Sequence, residues 1–465
     1  MPWRDAMAPV RMQRVAVLAP RERLREALVE IARHGSMELE VATEREVGQA
    51  RRLLQQLPGG HDAPPLLSVD PPDLDELGRS GRADLLAGEA EMEDRAAAAV
   101  TRGLVAGVLG WLPADEVAPV TQLLEPQGCA VVPLPSPRGV DPPSMLHAEG
   151  RLNQSFAPLV DTYATVPYAD IDPTVLAGVA FVVMFGMMFG DAGQGLLLLA
   201  GGLLLRAGRL PRLVQFRSIW LFVAGSGFMA IVFGVLFGEF FGPTGVLPVL
   251  WISPLEEPVL LLEVAIGVGA CLLASAYVLG TVNRWREGGW RLALVAASGV
   301  AGIAVFLGLG LLALGLYLAA NWLVAVAVTI GVGGLVLTYI GLFAAAGGGA
   351  AGATEASVEL FNGVVRLGTN IVSFARLAAF GLAHAALGAI VWQGTTGLWA
   401  AGGLLILAAV ALFVVGNALT FTLEAVVAGV QALRLEYYEL FSRIFVSEGR
   451  PFQPWSIPIS IERAS

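Results

Sequence analysis

Residues 370–392, NIVSFARLAAFGLAHAALGAIVW, decide the architecture of this chain, because they are apolar enough to cross a bilayer yet contain Arg376. A hydrocarbon core about 30 Å thick needs about 20 apolar residues in a helix. A charge near the centre of such a helix costs at least about 2.5 kcal/mol on insertion scales. Arginine cannot lose its proton to escape this cost. The segment therefore predicts a membrane helix whose cation has either a function or a buried partner.

The whole chain divides by composition into a charged first part and an apolar remainder. Of its 465 residues 55% are hydrophobic, a fraction too high for an ordinary soluble domain. Residues 1–165 hold most of the acidic side chains and arginines, whereas residues 174–447 are nearly continuous apolar sequence. We therefore predict a small α/β cytoplasmic domain over residues 1–165 and an α-helical transmembrane domain over residues 166–465.

Charge and residue usage exclude several classes of function. The formal net charge of −10 argues against nucleic-acid binding. The sequence contains no lysine, so it cannot supply the lysine that a P-loop places on the β/γ-phosphates. Any ATP hydrolysis therefore belongs to another chain. No Cys/His spacing fits a metal site, so we predict no metal and no cofactor. Cys129 and Cys271 are predicted to be small buried residues rather than a disulfide.

The cytoplasmic domain contains two similar α/β lobes with charged helical sequence between them. The predicted strands are 12–18, 37–42, 102–111 and 128–134, and the predicted helices of the lobes are 20–34 and 113–125. Two charged stretches, 42–57 and 84–99, flank a loop rich in Pro, Gly and Asp and predict a short antiparallel helical hairpin. Sixteen helical residues extend only about 24 Å, so this arm is short.

Apolar spans follow one another after the cytoplasmic domain. The clear spans are 216–241, 258–283, 291–318, 321–346, 362–394 and 398–447. The stretch 173–206 is ambiguous, because as one helix it would be about 50 Å long. It is interrupted by Gly-Asp-Ala-Gly-Gln-Gly at 190–195, which favours two short helices with a hinge at the glycines.

Arginines in the loops decide between one and two crossings for this stretch. The loop that follows it contains Arg206, Arg209, Arg212 and Arg217, and the loop at 284–291 is also rich in arginine. The loop at 242–257 contains none. The positive-inside rule places the first two loops in the cytoplasm and the third outside. If residues 1–165 are cytoplasmic too, residues 173–206 cross twice. Eight crossings, with both termini in the cytoplasm, are favoured over seven.

The last two spans exceed the thickness of a bilayer. At 1.5 Å per residue, 362–394 is about 50 Å long and 398–447 about 74 Å. Helices of this length must tilt steeply or project into the cytoplasm.

Arg376 has two possible roles. It is either a structural cation, paired with a carboxylate inside the bundle or snorkelling to the interface, or a fixed positive charge beside an ion path. The ion-path role is favoured. His384 lies eight residues further on, about two turns away. It is either a proton relay or hydrogen-bonding partner, or a histidine whose role is packing.

Glu424 and Arg434 are the corresponding candidates on the last span. We expect them to share a helix face about 15 Å apart, with Glu424 the deeper of the two. Glu424 is predicted to line a water-filled half-channel or to pair with an arginine. Arg434 is either part of the ion path or an interfacial anchor. Glu436 and Glu439 are predicted to be solvated or interfacial.

Four further residues are secondary candidates for the ion path. Asp191 and Glu239 each follow Phe-Gly at the end of a span. A capping or hinge role is favoured for both, and an entrance to an ion path is the alternative. Glu359 and Arg366, seven residues apart, could pair on one helix face.

Several of these segments carry a family resemblance. The chain resembles the a subunit, also called subunit I, of the V-type and A-type rotary ATPases. The matching segments are RMQRVAVLAPRERLREALVEIARHG (11–35), GWLPADEV (110–117), MMFGDAGQG (187–195), VLFGEFFG (235–242), SFARLAAFGLAHA (373–385) and LEAVVAGVQALRLEYYELFSRIFVSEGRPFQPW (423–455). Their order and spacing extend over nearly the whole chain.

The resemblance implies a stator subunit in a prokaryotic plasma membrane. In that family two long tilted helices face a rotating ring of proteolipid subunits, and H⁺ or Na⁺ moves through two offset half-channels. The essential arginine that separates the half-channels matches Arg376. A second arginine, a glutamate and a histidine match Arg434, Glu424 and His384. The implied partners are the ring and the stalk subunits. The subunit itself does not hydrolyse ATP.

The chain departs from the family pattern in two places. Two histidines near the end of the family sequence are Gln431 and Glu436 here. The helical arm is also much shorter than usual. Two other functions remain open: a self-contained secondary transporter, and a non-translocating membrane scaffold descended from the same family. Inverted repeats would favour the transporter. The only internal repetition noted in the sequence is the short Phe-Gly-carboxylate pattern at Asp191 and Glu239.

Overall fold

The computed structural model describes residues 9–40, 48–57, 62–137, 140–146, 151–208, 211–445 and 448–460. Its contacts divide these residues into two compact units. The α/β unit comprises described residues within Pro9–Leu146 and Gly449–Ser465. The membrane unit comprises those within His147–Glu448.

One antiparallel sheet forms the centre of the α/β unit. The strands of this unit are β1 Met12–Pro20, β2 Glu38–Leu39, β3 Leu67–Ser68, β4 Val100–Arg102, β5 Val105–Pro113, β6 Ala130–Leu134 and β7 Ile459–Ser460. In the described residues the strand order is β2-β5-β1-β6, with β4 on β5. Val15 of β1 lies opposite Gly110 on one side and Pro133 on the other. The prediction of two separate lobes is therefore wrong, because their strands pair with each other.

Helices cover this sheet and build the short arm. They are α1 Leu24–His34, α2 Gln49–Gln56, α3 Leu74–Ser80, α4 Ala83–Ala97 and α5 Val117–Leu124. Leu28 and Ile31 of α1 pack on β-strand residues such as Val17 in the main core. A smaller apolar cluster, which includes Ala50 and Leu86, joins α2 to α4. The predicted hairpin is thus present from residue 48 onward, and residues 42–47 of that prediction lie outside the described residues.

The C-terminal segment, residues 449–460, is part of the α/β unit. Trp455 and Ile457 are buried in its main core, and β7 pairs with β3 in parallel, with Ile459 opposite Leu67. The indole Nε1 of Trp455 donates a 3.0 Å hydrogen bond to Glu91. The chain therefore leaves this unit for the apolar helices and returns to it afterwards.

Replacing Trp455 with alanine should loosen this attachment. Truncation of a buried Trp costs about 3–5 kcal/mol, because a cavity replaces its packing. Hydrogen exchange of the full chain should show faster exchange in β3 and in residues 449–460. The control is Gln453→Ala, which truncates an exposed side chain of the same segment and should change nothing. Equal exchange in the Trp455 variant and the parent would contradict the assignment.

The membrane unit is helical. Its helices are α6 Arg151–Tyr163, α7 Thr174–Met188, α8 Ala192–Ala207, α9 Trp220–Phe237, α10 Pro258–Val295, α11 Val300–Tyr317, α12 Asn321–Ala345, α13 Gly349–Ser373, α14 Ala375–Ala401, α15 Leu405–Leu435 and α16 Ser442–Ile444. In the described residues, six helical stretches are long and apolar enough to cross a membrane, and α7 and α8 are shorter apolar helices. The helices α13 and α14 count as one stretch, because only Phe374 separates them.

Helices α7 and α8 reverse direction at the predicted hinge. Along α7, Gly186 lies against Met229 and Gly190 against Phe237, so α7 runs parallel to α9. Along α8, Gly195 lies against Ile231 and Gly202 against Ala224, so α8 runs antiparallel to α9. The reversal falls between Met188 and Ala192, as the glycine-rich interruption predicted.

The last two spans form a long antiparallel pair. The stretch α13–α14 extends over Gly349–Ala401 and α15 with its continuation over Leu405–Ile444. The turn between them uses Gly402 and Gly403, whose positive φ angles of 73° and 64° favour glycine. The predicted boundary at residues 394–398 is therefore several residues too early.

Both cysteines differ from the prediction. Cys271 is exposed on α10, and Cys129 is half-buried in the α/β unit. Neither is the fully buried thiol that was predicted. For Cys271 the reason is that a membrane helix can expose small side chains to lipid.

Candidate functional site

Arg376 lies in the first turn of α14, directly after the break at Phe374. Its Nε donates a 3.0 Å hydrogen bond to the carbonyl oxygen of Ser373. Its Nη2 lies 3.0 Å from Oε1 of Glu439, and the Ser373 hydroxyl contacts both groups. The guanidinium is a quarter exposed, and the Glu439 carboxylate is almost fully buried. The cation in the apolar helix therefore has a carboxylate partner in its own chain.

Glu439 is held by a change in helix type. Residues Glu436–Phe441 continue α15 as a π-helix, which turns both Glu436 and Glu439 inward. These two glutamates were predicted to be solvated or interfacial. The solvated alternative is wrong, because it assumed regular α-helical phase to the end of the span. Short π-helical turns occur often at functional sites. Neither carboxylate oxygen of Glu436 has a hydrogen-bond partner among the described residues.

His384 and Glu424 form a second buried pair, between α14 and α15. Nδ1 of His384 contacts the Glu424 carboxylate, and both side chains are mostly buried. Arg376 and His384 thus have separate carboxylate partners, Glu439 and Glu424. Arg434 is exposed, so its predicted shared face with Glu424 is wrong. Ten residues are about 2.8 helical turns, which leaves the two side chains on different faces.

A cavity of about 140 Å³ adjoins the His384–Glu424 pair. It lies between α14 and α15, and its lining includes Ala383, Leu387 and Leu423. These three residues are exposed, so the cavity reaches the outer face of the helix pair.

Asp191 has the capping role that its position predicted. Its Oδ1 accepts hydrogen bonds from the backbone N–H of Gln194 at 2.8 Å and of Phe241 at 3.0 Å. Its Oδ2 accepts a 2.7 Å bond from the backbone N–H of Gly242. The carboxylate therefore begins α8 and also ties that helix to the loop after α9.

Glu239 lies beside Asp191 but does not cap with its side chain. Its backbone carbonyl accepts a 3.0 Å hydrogen bond from the N–H of Ala192. The side chain is 4% exposed, and Oε2 has no hydrogen-bond partner in the described part of the chain. The capping interpretation therefore holds for Asp191 and not for the Glu239 carboxylate.

The fold brings these residues together in one buried group. Asp191, Glu239 and His384 are all buried. Each has one side-chain oxygen or nitrogen atom that could bind a metal, and these three atoms lie within 4.8 Å of one another. We name these three residues the carboxylate–histidine cluster. The sequence identified each member but not their meeting, because Glu239 and His384 are far apart along the chain. The only indication in the sequence that these residues meet was the repeated Phe-Gly-carboxylate pattern. It places Asp191 and Glu239 each at the end of a span.

The outer faces of α14 and α15 carry an exposed apolar stripe. It comprises Val372 at the end of α13 and, on α14, Ala379, Ala383, Leu387 and Ile390. On α15 it comprises Val415, Leu419, Leu423, Val426 and Val430, followed by Arg434. Arg376 is four residues after Val372 and three before Ala379, a spacing that places these residues on one face of the helical stretch. The guanidinium therefore borders this stripe.

Glu359 and Arg366 lie apart from the groups above. Both are exposed on α13 and line a cavity of about 110 Å³ together with Thr338, Tyr277 and Arg443. The structure thus places these two secondary candidates at a different cavity from the His384–Glu424 pair.

Known proteins resemble this chain over much of its length. Residues 98–243 match the V-type ATPase 116kDa subunit family. The A-type ATP synthase subunit I of Pyrococcus horikoshii is 27% identical over 365 residues, which cover 75% of this chain and 53% of that protein. The A-type ATP synthase subunit I of Aeropyrum pernix is 30% identical over 368 residues, covering 69% and 51%. The V-type ATP synthase subunit I 2 of Treponema pallidum is 34% identical over 147 residues, covering 29% and 32%. The chain spans about half the length of the curated relatives that it matches over most of its own sequence.

Proposed function

The chain belongs to the V-type ATPase 116kDa subunit family, and on that premise we propose that it is the membrane stator subunit of a V/A-type rotary ATPase. It moves H⁺ or Na⁺ by working against a rotating ring of proteolipid subunits. The observation that carries this proposal is Arg376, a permanent cation at the border of an exposed apolar stripe on two over-long helices.

The apolar stripe is suited to a moving partner. In the most apolar 18 residues of the span Leu405–Ile444, only 11% of the residues are buried within this chain. A ring helix that passes along the stripe would bring its carboxylate to Arg376. The guanidinium attracts the ionised carboxylate and disfavours its ion-bound form, so the ion leaves before the carboxylate passes. Between passages Glu439 is the counter-ion of Arg376.

The buried ionisable groups form the basis for the course that we propose for one half-channel. The carboxylate–histidine cluster lies at the ends of α7 and α9, and His384 joins it to Glu424 and to the cavity of about 140 Å³. Ionisable side chains in a membrane interior mark proton or ion routes. We place the outer half-channel along this series, ending where the cavity meets the apolar stripe.

An even number of crossings fits this arrangement. The described residues within 9–146 and residues 449–460 fold as one unit, which supports entry to and exit from the membrane on the same side. The six long stretches together with α7 and α8 give eight crossings. The positive-inside rule applied to the arginine-rich loops supports a cytoplasmic α/β unit. The membrane that we propose is a prokaryotic plasma membrane.

The partners of the complex follow from the proposed role. The proteolipid ring contacts the apolar stripe, and central-stalk and peripheral-stalk subunits connect the membrane part to a separate ATP-hydrolysing head. Affinity purification of the chain from its own membranes should bring the ring and the head with it. Ion transport by the purified chain alone in liposomes would overturn the stator assignment.

Arg434→Ala should reduce pumping less than changes at Arg376. Arg434 is exposed beyond the apolar stripe and lies further along α15, where solvent screens its charge. We expect a fall of about tenfold, which corresponds to about 1.4 kcal/mol. ATP-driven ion uptake into membrane vesicles measures it. Arg286→Ala, which changes an exposed arginine within α10, should pump normally. A loss at Arg434 as complete as at Arg376 would contradict this ranking.

A further inference from the structure

The carboxylate–histidine cluster has the composition of a metal site. Its members come from three different places: the cap of α8, the segment after α9 and the middle of α14. A donor atom from each lies within 4.8 Å of the other two, and all three residues are buried. Imidazole nitrogen and carboxylate oxygen are both ligands of Zn²⁺, and three protein ligands leave a fourth position open.

The contact with Glu424 leaves the second ring nitrogen of His384 available to a cation. Glu424 contacts Nδ1. An ionised Glu424 accepts a hydrogen bond from Nδ1–H, and the free lone pair then lies on Nε2. A carboxylate that fixes the ring in this way is the usual companion of a metal-binding histidine.

Glu239 supplies an independent reason for a ligand. Its Oε2 has no hydrogen-bond partner in the described residues, although the side chain is 4% exposed. A buried carboxylate oxygen without a partner is costly, and a bound cation removes that cost. Asp191 already accepts three backbone hydrogen bonds, but a carboxylate has about four acceptor positions, so one position on Oδ2 remains.

We propose that Asp191, Glu239 and His384 bind a divalent transition-metal ion, best matched by Zn²⁺, with Glu424 positioning His384. Mg²⁺ and Ca²⁺ prefer six or more oxygen ligands, whereas this set offers one imidazole nitrogen and two carboxylates. The two ligand carboxylates balance the charge of the ion. Because the cluster lies on the proposed outer half-channel, bound Zn²⁺ would block ion movement; only this inhibitory consequence rests on the proposed function.

Zinc binding to the purified full chain in lipid nanodiscs tests the site directly. Metal analysis after equilibrium dialysis should find a bound Zn²⁺. Glu239→Gln and His384→Gln each remove a ligand, so each should weaken binding at least as much as the loss of an orienting partner, which costs about 10–100-fold. Glu424→Gln should weaken it by about 10–100-fold, as expected for a group that orients a ligand. Glu359→Gln, which changes an exposed carboxylate outside the cluster, should bind like the parent. Thermal unfolding of each variant confirms that it is folded.

X-ray absorption of the bound zinc gives a second measurement, which does not depend on the variants. We expect the bound zinc to have one imidazole nitrogen among its nitrogen and oxygen ligands. Equal zinc binding by the parent and both ligand variants, or a zinc shell without imidazole, would overturn it.

Pumping separates this site from the proposed function. Zn²⁺ added to the outer side should inhibit ATP-driven uptake, and a chelator should reverse the inhibition. If Zn²⁺ binds through His384 and pumping is unchanged, the metal site stands, while its inhibitory consequence and the route through the cluster are both wrong. If the chain proves not to pump, the dialysis result still decides the metal site.

Discussion

Replacing Arg376 with alanine should abolish ATP-driven ion uptake while the complex remains assembled. Opposite charges about 4 Å apart attract by about 4 kcal/mol at an effective dielectric constant of 20, equivalent to roughly a thousandfold in an equilibrium. Without that attraction a ring carboxylate has no reason to release its ion at the apolar stripe. Uptake should therefore fall to background in membrane vesicles, with ring and head subunits still present in the membrane fraction.

The alanine variant also leaves Glu439 without its cation, so a second variant is needed to exclude simple misfolding. In Arg376→Ala/Glu439→Gln both charges are absent, and the buried carboxylate no longer lacks a partner. This double variant should fold and assemble like the parent and still not pump. Substantial uptake by either variant would remove Arg376 from the mechanism.

Glu439→Gln should give the second-largest effect. The amide keeps the shape of the side chain but removes the negative charge that lies 3.0 Å from Arg376. Arg376 then has only the ring carboxylate as an anionic partner, and the ring should stall there. We expect both ion uptake and coupled ATP hydrolysis to fall by about 10–100-fold, which is about 1.4–2.7 kcal/mol.

Two matched variants test this interpretation. Glu439→Asp restores the charge and should recover part of the rate. Glu436→Gln changes a buried carboxylate of the same π-helical segment that makes no hydrogen bond among the described residues, so it should have a smaller effect. If Glu439→Gln pumps normally, Glu439 is not the counter-ion that exchanges with the ring.

The sequence predicted the membrane helices well, because long apolar runs and loop arginines depend only on local composition. The hinge between α7 and α8 was visible for the same reason, as glycines interrupt the run at 190–195. Arg376, His384 and Glu424 were identifiable because an ionisable residue inside an apolar segment is conspicuous.

Features that depend on distant contacts were missed. The strands of the two predicted lobes pair into one sheet, and strand pairing over long sequence separations leaves little local pattern. The attachment of residues 449–460 to the α/β unit is another long-range pairing, through Trp455 and β7. The meeting of Glu239 with His384 likewise requires the packing of three helices.

Helix phase explains the remaining error at the site. Glu439 was predicted to be solvated or interfacial because a regular α-helix was assumed as far as residue 447. The π-helix at Glu436–Phe441 changes the side-chain direction within one turn. The sequence left open a carboxylate partner for Arg376 inside the bundle but did not indicate Glu439, which the structure identifies as that partner.

Disulfide crosslinking tests most directly the central claim that the apolar stripe faces the ring. Cys129 and Cys271 are first replaced by serine, since both thiols are free and Cys271 is exposed. A cysteine is then placed at Ala383, beside the cavity, and another on the carboxylate-bearing helix of the ring subunit. Val278→Cys on α10, also exposed but outside the stripe, is the control. We predict that oxidation crosslinks Ala383→Cys to the ring and stops ATP-driven uptake, whereas Val278→Cys does not crosslink. Equal crosslinking at the two positions, or none at Ala383→Cys, would contradict the account.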